Sequence, residues 1–271
     1  MSKGGHRAKR SLSQNFLVDP SLQRKIISSI DPGPEDRVLE IGPGQGALTR
    51  HLALTVGHLT VIELDDDLAA ELQESYGPRD DVEVIHGDAL ELSIPEIAGD
   101  LPLKVIGNIP YGITTPIIFH LLDQRPRPTL VVLTVQKEVA TRLAAKPGTK
   151  EYGALTVGVQ AVAQVEPLFT INRAAFRPRP DVDSMCVRIV PQSPPPLTAD
   201  QESALRTLTR AAFQRRRKQL QNVLRQAPEF ALSGEAVTSV LEPLGIDPAT
   251  RPDALPVADY IRLADALAGK T

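Results

Sequence analysis

Through the first two-thirds of the chain, short apolar runs ending in glycine, asparagine or an acidic residue alternate with stretches whose apolar residues recur at helical spacing. Strands buried on both faces read as continuous apolar runs, whereas a covering helix is apolar along one stripe, so the alternation predicts a mostly parallel sheet with crossover helices. Strands are expected at residues 37–41, 59–64, 82–86, 103–107 and 130–136. Two later β-rich segments, at about 155–165 and at 184–190, extend the expected α/β sheet to seven strands.

Pro191, Pro194, Pro195 and Pro196 then interrupt any regular element, because proline lacks an amide hydrogen and restricts its predecessor. This places a boundary between a domain at 1–192 and a helical one at 197–271. Beyond the prolines, Leu205, Leu208, Ala212, Leu220, Val223 and Leu224 recur at helical spacing, and further helices are expected near 235–244 and 257–268.

With 271 residues the chain can bury a sizeable core. No apolar stretch approaches the roughly 18 residues of a membrane span, and the amino terminus is basic without an apolar signal core, so a soluble cytoplasmic protein is expected. Its one cysteine, Cys186, cannot form an internal disulfide, and the five histidines are too scattered to suggest a metal site. The net charge of -3 conceals two basic segments. Lys3, Arg7, Lys9 and Arg10 lie in an arm at 1–12 expected to be flexible, and seven Arg or Lys residues without an acid run from Arg206 to Arg225.

Candidate chemistry begins where the first strand delivers Glu40-Ile41-Gly42-Pro43-Gly44-Gln45-Gly46 ahead of a helix start at Ala47-Leu48-Thr49. Glycines there permit a tight turn and close approach of a ligand to a helix amino terminus. Gly42, Gly44 and Ala47 also match the dinucleotide fingerprint, with Glu63 about 20 residues on, so the loop alone does not separate a nicotinamide dinucleotide from S-adenosylmethionine. Glu40 can orient the turn and approach a cationic methionine end. Glu63 can accept from ribose hydroxyls, and Asp88, after the third strand, from an adenine amino group. A lone strand-end acid is more often a solvated or capping carboxylate, but several fall where doubly wound sheets bind ligands.

Asn108-Ile109-Pro110-Tyr111, after the fourth strand, is the most informative tetrapeptide. An exocyclic adenine amine is a weak nucleophile because its lone pair is delocalised into the ring. The Asn108 side-chain oxygen and the Ile109 carbonyl can accept its two hydrogens and hold it near-tetrahedral, while Tyr111 stacks on a flipped base. No strong general base is needed, since the nitrogen becomes acidic only after alkylation. The bland reading is an Asn-x-Pro turn at a strand end.

The chain resembles the ribosomal RNA adenine dimethyltransferase family, most closely its bacterial small-subunit branch. Besides the glycine loop and the Asn108 tetrapeptide, the resemblance rests on Ser13-Gln14-Asn15-Phe16-Leu17, Gln136-Lys137-Glu138-Val139-Ala140, Phe176-Arg177-Pro178-Arg179-Pro180, Val182-Asp183-Ser184 and Arg216-Arg217-Lys218. It implies a Rossmann-like class I methyltransferase fold acting as a monomer on 16S ribosomal RNA within an immature 30S subunit. The cofactor is then S-adenosyl-L-methionine, leaving S-adenosyl-L-homocysteine. The implied cofactor contacts are Gln14, Asn15, Leu17, Gly42, Glu63, Asp88 and Asn108, joined by Glu40 and Gly44 of the loop. The resemblance also sets Phe176 against the target base opposite Tyr111, whereas by sequence alone an aromatic before a proline-rich loop is more often a core residue. Ile109 stands where small-subunit enzymes often carry leucine and the large-subunit resistance methyltransferases isoleucine, and either residue keeps the backbone acceptor.

On a continuous helix Arg206, Arg210 and Arg217 fall within about 40 degrees of one another and form a candidate phosphate-binding stripe, with Lys218 beside it. Three rivals remain at this point. They are the same chemistry on large-subunit RNA, an assembly factor whose binding is the essential activity, and a nicotinamide oxidoreductase. Gly245-Ile246-Asp247-Pro248 and Arg251-Pro252 resemble the small-subunit branch, and an oxidoreductase leaves Asn108 to Tyr111 unexplained.

Overall fold

The protein is described here by a computed structural model covering residues 14–268. The expected basic arm at 1–12 lies outside the described residues. In chain order the elements are β1 (Phe16–Leu17), α1 (Pro20–Ser28), β2 (Arg37–Ile41), α2 (Thr49–Leu52), β3 (His58–Glu63), α3 (Asp66–Tyr76), β4 (Val82–His86), α4 (Ile94–Ala98), β5 (Leu103–Asn108) and α5 (Thr114–Asp123). They continue as β6 (Leu130–Gln136), α6 (Lys137–Leu143), α7 (Ala154–Gln160), β7 (Ala163–Ile171), β8 (Phe176–Arg177), β9 (Ser184–Pro191), α8 (Ala199–Gln214), α9 (Leu220–Gln226), α10 (Gly234–Leu241) and α11 (Val257–Ala268).

Seven strands form one sheet in the order β4-β3-β2-β5-β6-β9-β7, and β1 pairs separately with β8. The pairs among β2, β3, β4, β5 and β6 are parallel, and β9 runs antiparallel to β6. The central strands are buried on both faces, as Val38, Leu39, Val105, Ile106, Val132 and Leu133 show, which is why their sequences are uninterrupted apolar runs. Chain order reverses on either side of β2, so the loops after β2 and β5 diverge and leave a crevice beyond their carboxyl ends.

The chain divides into two compact units. The described residues to Ala140 with Glu166–Pro191 make the first, and Thr141–Val165 with the described residues from Gln192 make the second. One passage between the units falls at Pro191–Gln192, and residues 141–165, within the span 1–192, belong to the second unit with the later helices. The reason is aromatic and polar. Tyr152 is buried, donates its hydroxyl to the Leu255 carbonyl at 2.8 Å, and meets Phe213 edge-on at 5.9 Å; Phe213 in turn stacks on Tyr260 at 5.7 Å.

Two sequence expectations are corrected. The strand expected at about 155–165 is helix α7 over Ala154–Gln160, and the seventh strand begins only at Ala163. Thr156 receives a bond from the Gly153 amide and donates to the Arg142 carbonyl, which sets the helix start. The continuous helix carrying Arg206, Arg210 and Arg217 also does not exist. Helix α8 stops at Gln214, and Arg215 leaves helical geometry at φ -118 and ψ 32, so Arg217 has no fixed angular relation to the other two.

Replacing Tyr152 by phenylalanine leaves the buried Leu255 carbonyl without its donor. We expect a loss of about 1–3 kcal/mol in unfolding free energy by urea denaturation; an unchanged midpoint would remove this bond from the second unit's stability.

Candidate active site

The crevice at the carboxyl ends of β2, β3, β4 and β5 is a cavity of about 490 Å³. Gln14, Asn15, Leu17, Glu40, Gly42, Gly44, Glu63, Asp88, Asn108, Ile109 and Tyr111 all line it. The structure thus brings together every sequence-predicted cofactor and catalytic residue except Phe176.

The glycine loop is held from beneath by one carboxylate. Glu63 Oε2 accepts the Gly44 amide at 3.0 Å and Oε1 accepts the Asp65 amide at 3.0 Å. Asp65 caps α3 by accepting from the Asp67 and Leu68 amides, and its second oxygen accepts from Gln14 Nε2 at 2.9 Å. One connected polar network therefore joins the loop, the end of β3, the start of α3 and the amino-terminal segment. Gly44 has φ +58, and a Cβ there would lie 3.0 Å from the Phe16 ring, so the position excludes side chains on both backbone and packing grounds.

The segment Gln14–Val18 acts as a strap across the cavity. The Leu17 carbonyl accepts from buried Gln23 Nε2 at 2.9 Å, the Val18 amide donates to the Ala175 carbonyl, and Leu17 pairs with Phe176 across β1 and β8. The Asn15 carbonyl accepts from Asn108 Nδ2 at 2.9 Å. That bond uses one of the two amide hydrogens of Asn108 and fixes the orientation of the amide, with its oxygen still able to accept from a ligand.

At the Asn108 tetrapeptide, the Ile109 amide donates to the Thr134 carbonyl and Ile109 itself is buried. Gly107 makes this packing possible, since a Cβ there would lie 2.7 Å from both Ile109 Cδ1 and the Ile41 carbonyl oxygen. Tyr111 is partly buried with its hydroxyl 2.8 Å from Ser184 Oγ, and burial raises its pKa against the opposing effect of that bond. The anchored hydroxyl fixes where the far end of the ring lies.

Phe176 does not take the place the resemblance gave it. It is 1% exposed, lies in the core with Leu17, Ile26 and Ile171, and does not line the cavity. Its pairing with Leu17 holds it beneath the strap. Sequence reasoning in turn missed Gln23, Phe16 and Ser184 as supports. Phe16 and Ser184 stood in quoted motifs without a role, while a polar residue on a helix gives no sign of being buried.

The charged residues lining the cavity are Glu40, Glu63, Asp88 and Arg50. Arg50 Nε is donated to the Gly46 carbonyl at 3.0 Å. Three carboxylates against one guanidinium suit a ligand carrying positive charge, and the Gly44 amide that would bind a pyrophosphate is already given to Glu63. Asp88 Oδ1 accepts from the Leu90 amide at 2.9 Å. Glu40 is 1% exposed and accepts from Thr49 Oγ1 at 2.7 Å, and its pKa is pushed up to about 7 by burial, with the Thr49 bond opposing and Glu63 adding to the rise. The residues fit a cationic nucleoside cofactor and disfavour a dinucleotide.

Among the predicted RNA contacts, Arg210, Arg217 and Lys218 are exposed and Arg206 is partly buried. Arg216, inside the same basic run, is committed internally. It donates to Asp253 Oδ2 at 3.2 Å and to the Lys150 and Thr149 carbonyls. Among the described residues no cluster of three His, Cys, Asp or Glu could hold a metal, and no helix is long and apolar enough to cross a membrane.

Comparison with known proteins agrees with this geometry. Residues 5–269 match the family model described as ribosomal RNA adenine dimethylase. The chain is 42% identical to ribosomal RNA small subunit methyltransferase A of Aromatoleum aromaticum, over 98% of this chain and 96% of that protein. It is 40% identical to the same-named protein of Marinobacter nauticus, over 98% of this chain and 94% of that one. Among solved structures, a dimethyladenosine transferase from Plasmodium falciparum superposes with a TM-score of 0.80 at 30% identity, covering 92% of this chain and 95% of that one. The 23S rRNA methyltransferase ErmE superposes with a TM-score of 0.69 at 28% identity, covering 94% and 100%. Sheet order, glycine loop, the Asn108 tetrapeptide and these matches converge, and the chain belongs to the ribosomal RNA adenine dimethylase family of methyltransferases.

Proposed function

We propose that this enzyme uses S-adenosylmethionine to dimethylate N6 of two adjacent adenosines in the 3′-terminal hairpin loop of 16S ribosomal RNA, on an immature 30S subunit in the cytoplasm, and that it works as a monomer. The observation that carries the reading is the bond from Asn108 Nδ2 to the Asn15 carbonyl, which fixes the catalytic amide at the edge of the cavity. The relatives named as small-subunit methyltransferases, aligned over nearly their whole length, support 16S RNA over 23S as the substrate.

In this reading Glu63 accepts from the ribose hydroxyls and Asp88 from the adenine amine of the cofactor, with Ile62, Leu64 and Ala89 as apolar walls. The cofactor supplies an electrophilic methyl on a sulfonium. Asn108 Oδ1 and the Ile109 carbonyl accept the two hydrogens of the target amine and turn its lone pair toward that methyl. Tyr111, its hydroxyl fixed by Ser184, presents a ring face on which a flipped base stacks. The proton made acidic by alkylation leaves to solvent, so no buried base is required. Phe176 supports the strap and does not face the base. The unit formed by Thr141–Val165 and residues from Gln192 serves RNA binding, with Arg210, Arg217 and Lys218 reaching phosphates and Arg216 holding the 149–150 and 253 segments together.

Labelled methyl transfer to purified unmethylated 30S and 50S subunits, with the products mapped, tests the substrate. Dimethyladenosine in the 3′-terminal 16S hairpin is expected. Label confined to 50S would replace this reading with large-subunit chemistry, and none in either would favour a binding role. Separately, Arg217→Glu should weaken RNA binding and lower the slope of log affinity against log salt by about 1; an unchanged slope would remove Arg217 from the phosphate contacts.

A further inference from the structure

Glu40 is the one carboxylate of the cavity that the proposed chemistry leaves without a partner on the ligand. It lies one residue before the end of β2, is 1% exposed, and lines the cavity. Its neutral donors both come from Thr49, the hydroxyl at 2.7 Å and the backbone amide. The ionisable groups around it are Glu63 from β3 and Tyr76 from α3, both of which interact with it electrostatically, while Arg50 of α2 lines the same cavity with its Nε turned to the Gly46 carbonyl. No cation is therefore bonded to Glu40, and a second carboxylate lies near. A carboxylate so placed is costly to ionise alone and cheap to ionise beside a cationic ligand.

The cofactor and its spent product differ by one methyl and one unit of positive charge. We propose that Glu40 is a specificity-determining residue that separates them by proton linkage. The carboxylate releases its proton to solvent when the sulfonium-bearing cofactor enters, and takes a proton back when the neutral thioether remains. Cofactor is then held more tightly than product because only the sulfonium gains the attraction of an ionised Glu40, whereas the product meets a neutral carboxyl. This rests on reading the cavity as the S-adenosylmethionine site.

The sign follows from the raised ionisation of Glu40, centred near pH 7 in the free protein. Below that pH the cofactor must expel a proton to bind, so its affinity falls as pH falls, by at most about tenfold per unit, while product affinity changes less. The ratio of cofactor to product affinity therefore rises between about pH 6 and about pH 8.

Titration calorimetry of S-adenosylmethionine and S-adenosylhomocysteine on the purified full chain across that range, in buffers of different ionisation enthalpy, reads both affinities and the proton released. We expect proton release with the cofactor only. In Glu40→Gln the ratio should lose its pH dependence, mainly through weaker cofactor binding, with retained product binding reporting a folded site. In Thr49→Val, an isosteric change that removes the hydroxyl donor favouring the ionised form, the midpoint of the pH dependence should move upward. Equal pH slopes for the two ligands, or a slope unchanged in both variants, would overturn the proposal. Binding of neither ligand to the unaltered protein at any pH would instead overturn the cofactor reading of the cavity, and this proposal with it.

Discussion

Two backbone amides donated to one carboxylate hold the active site together. Glu63 accepts from Gly44 on one oxygen and from Asp65 on the other, in a position only 6% exposed. Bonds to an ionised acceptor are stronger than neutral ones, and a buried carboxylate without them would be severely penalised. This constraint sets the left-handed conformation at Gly44, aligns the cap of α3 and, through Asp65, tethers Gln14. It also assigns the pocket its chemistry, because a loop amide occupied by the protein's own carboxylate is not available to a phosphate.

The strap carries the constraint across to the catalytic loop. Gln14 reaches the α3 cap, Phe16 lies over Gly44, and the Asn15 carbonyl holds the Asn108 amide. A segment of five residues thus spans the ends of β2, β3 and β5, and the glycine loop and the Asn108 tetrapeptide become one unit. Pairing of Leu17 with Phe176 extends the linkage to the chain that leads to Ser184, which anchors Tyr111.

Much of this was legible in the sequence where one physical rule dominated. Strands 37–41, 82–86 and 130–136 have the expected bounds because residues buried on both faces of a parallel sheet leave an unbroken apolar run. The same rule failed at 155–160, where a short apolar run is equally compatible with a buried helix and tertiary packing decided for α7. The glycine loop, the strand-end acids and the Asn108 tetrapeptide were readable because their spacing is tied to strand ends. Phe176 was readable from the sequence as a core aromatic ahead of a proline-rich loop, and the pairing of β8 with β1 is what draws it into the core. Arg216 and Arg217 are alike in sequence, and only the position of Asp253 and the 149–150 carbonyls separates a structural guanidinium from an exposed one.

The central claim is that Asn108, held by the strap, turns an unreactive amine toward the methyl donor. Single-turnover methyl transfer by Asn108→Ala on unmethylated 30S subunits, with RNA binding measured on the same preparation, tests it most directly. Transfer should be abolished while RNA binding is retained; substantial residual transfer would remove Asn108 from the reaction.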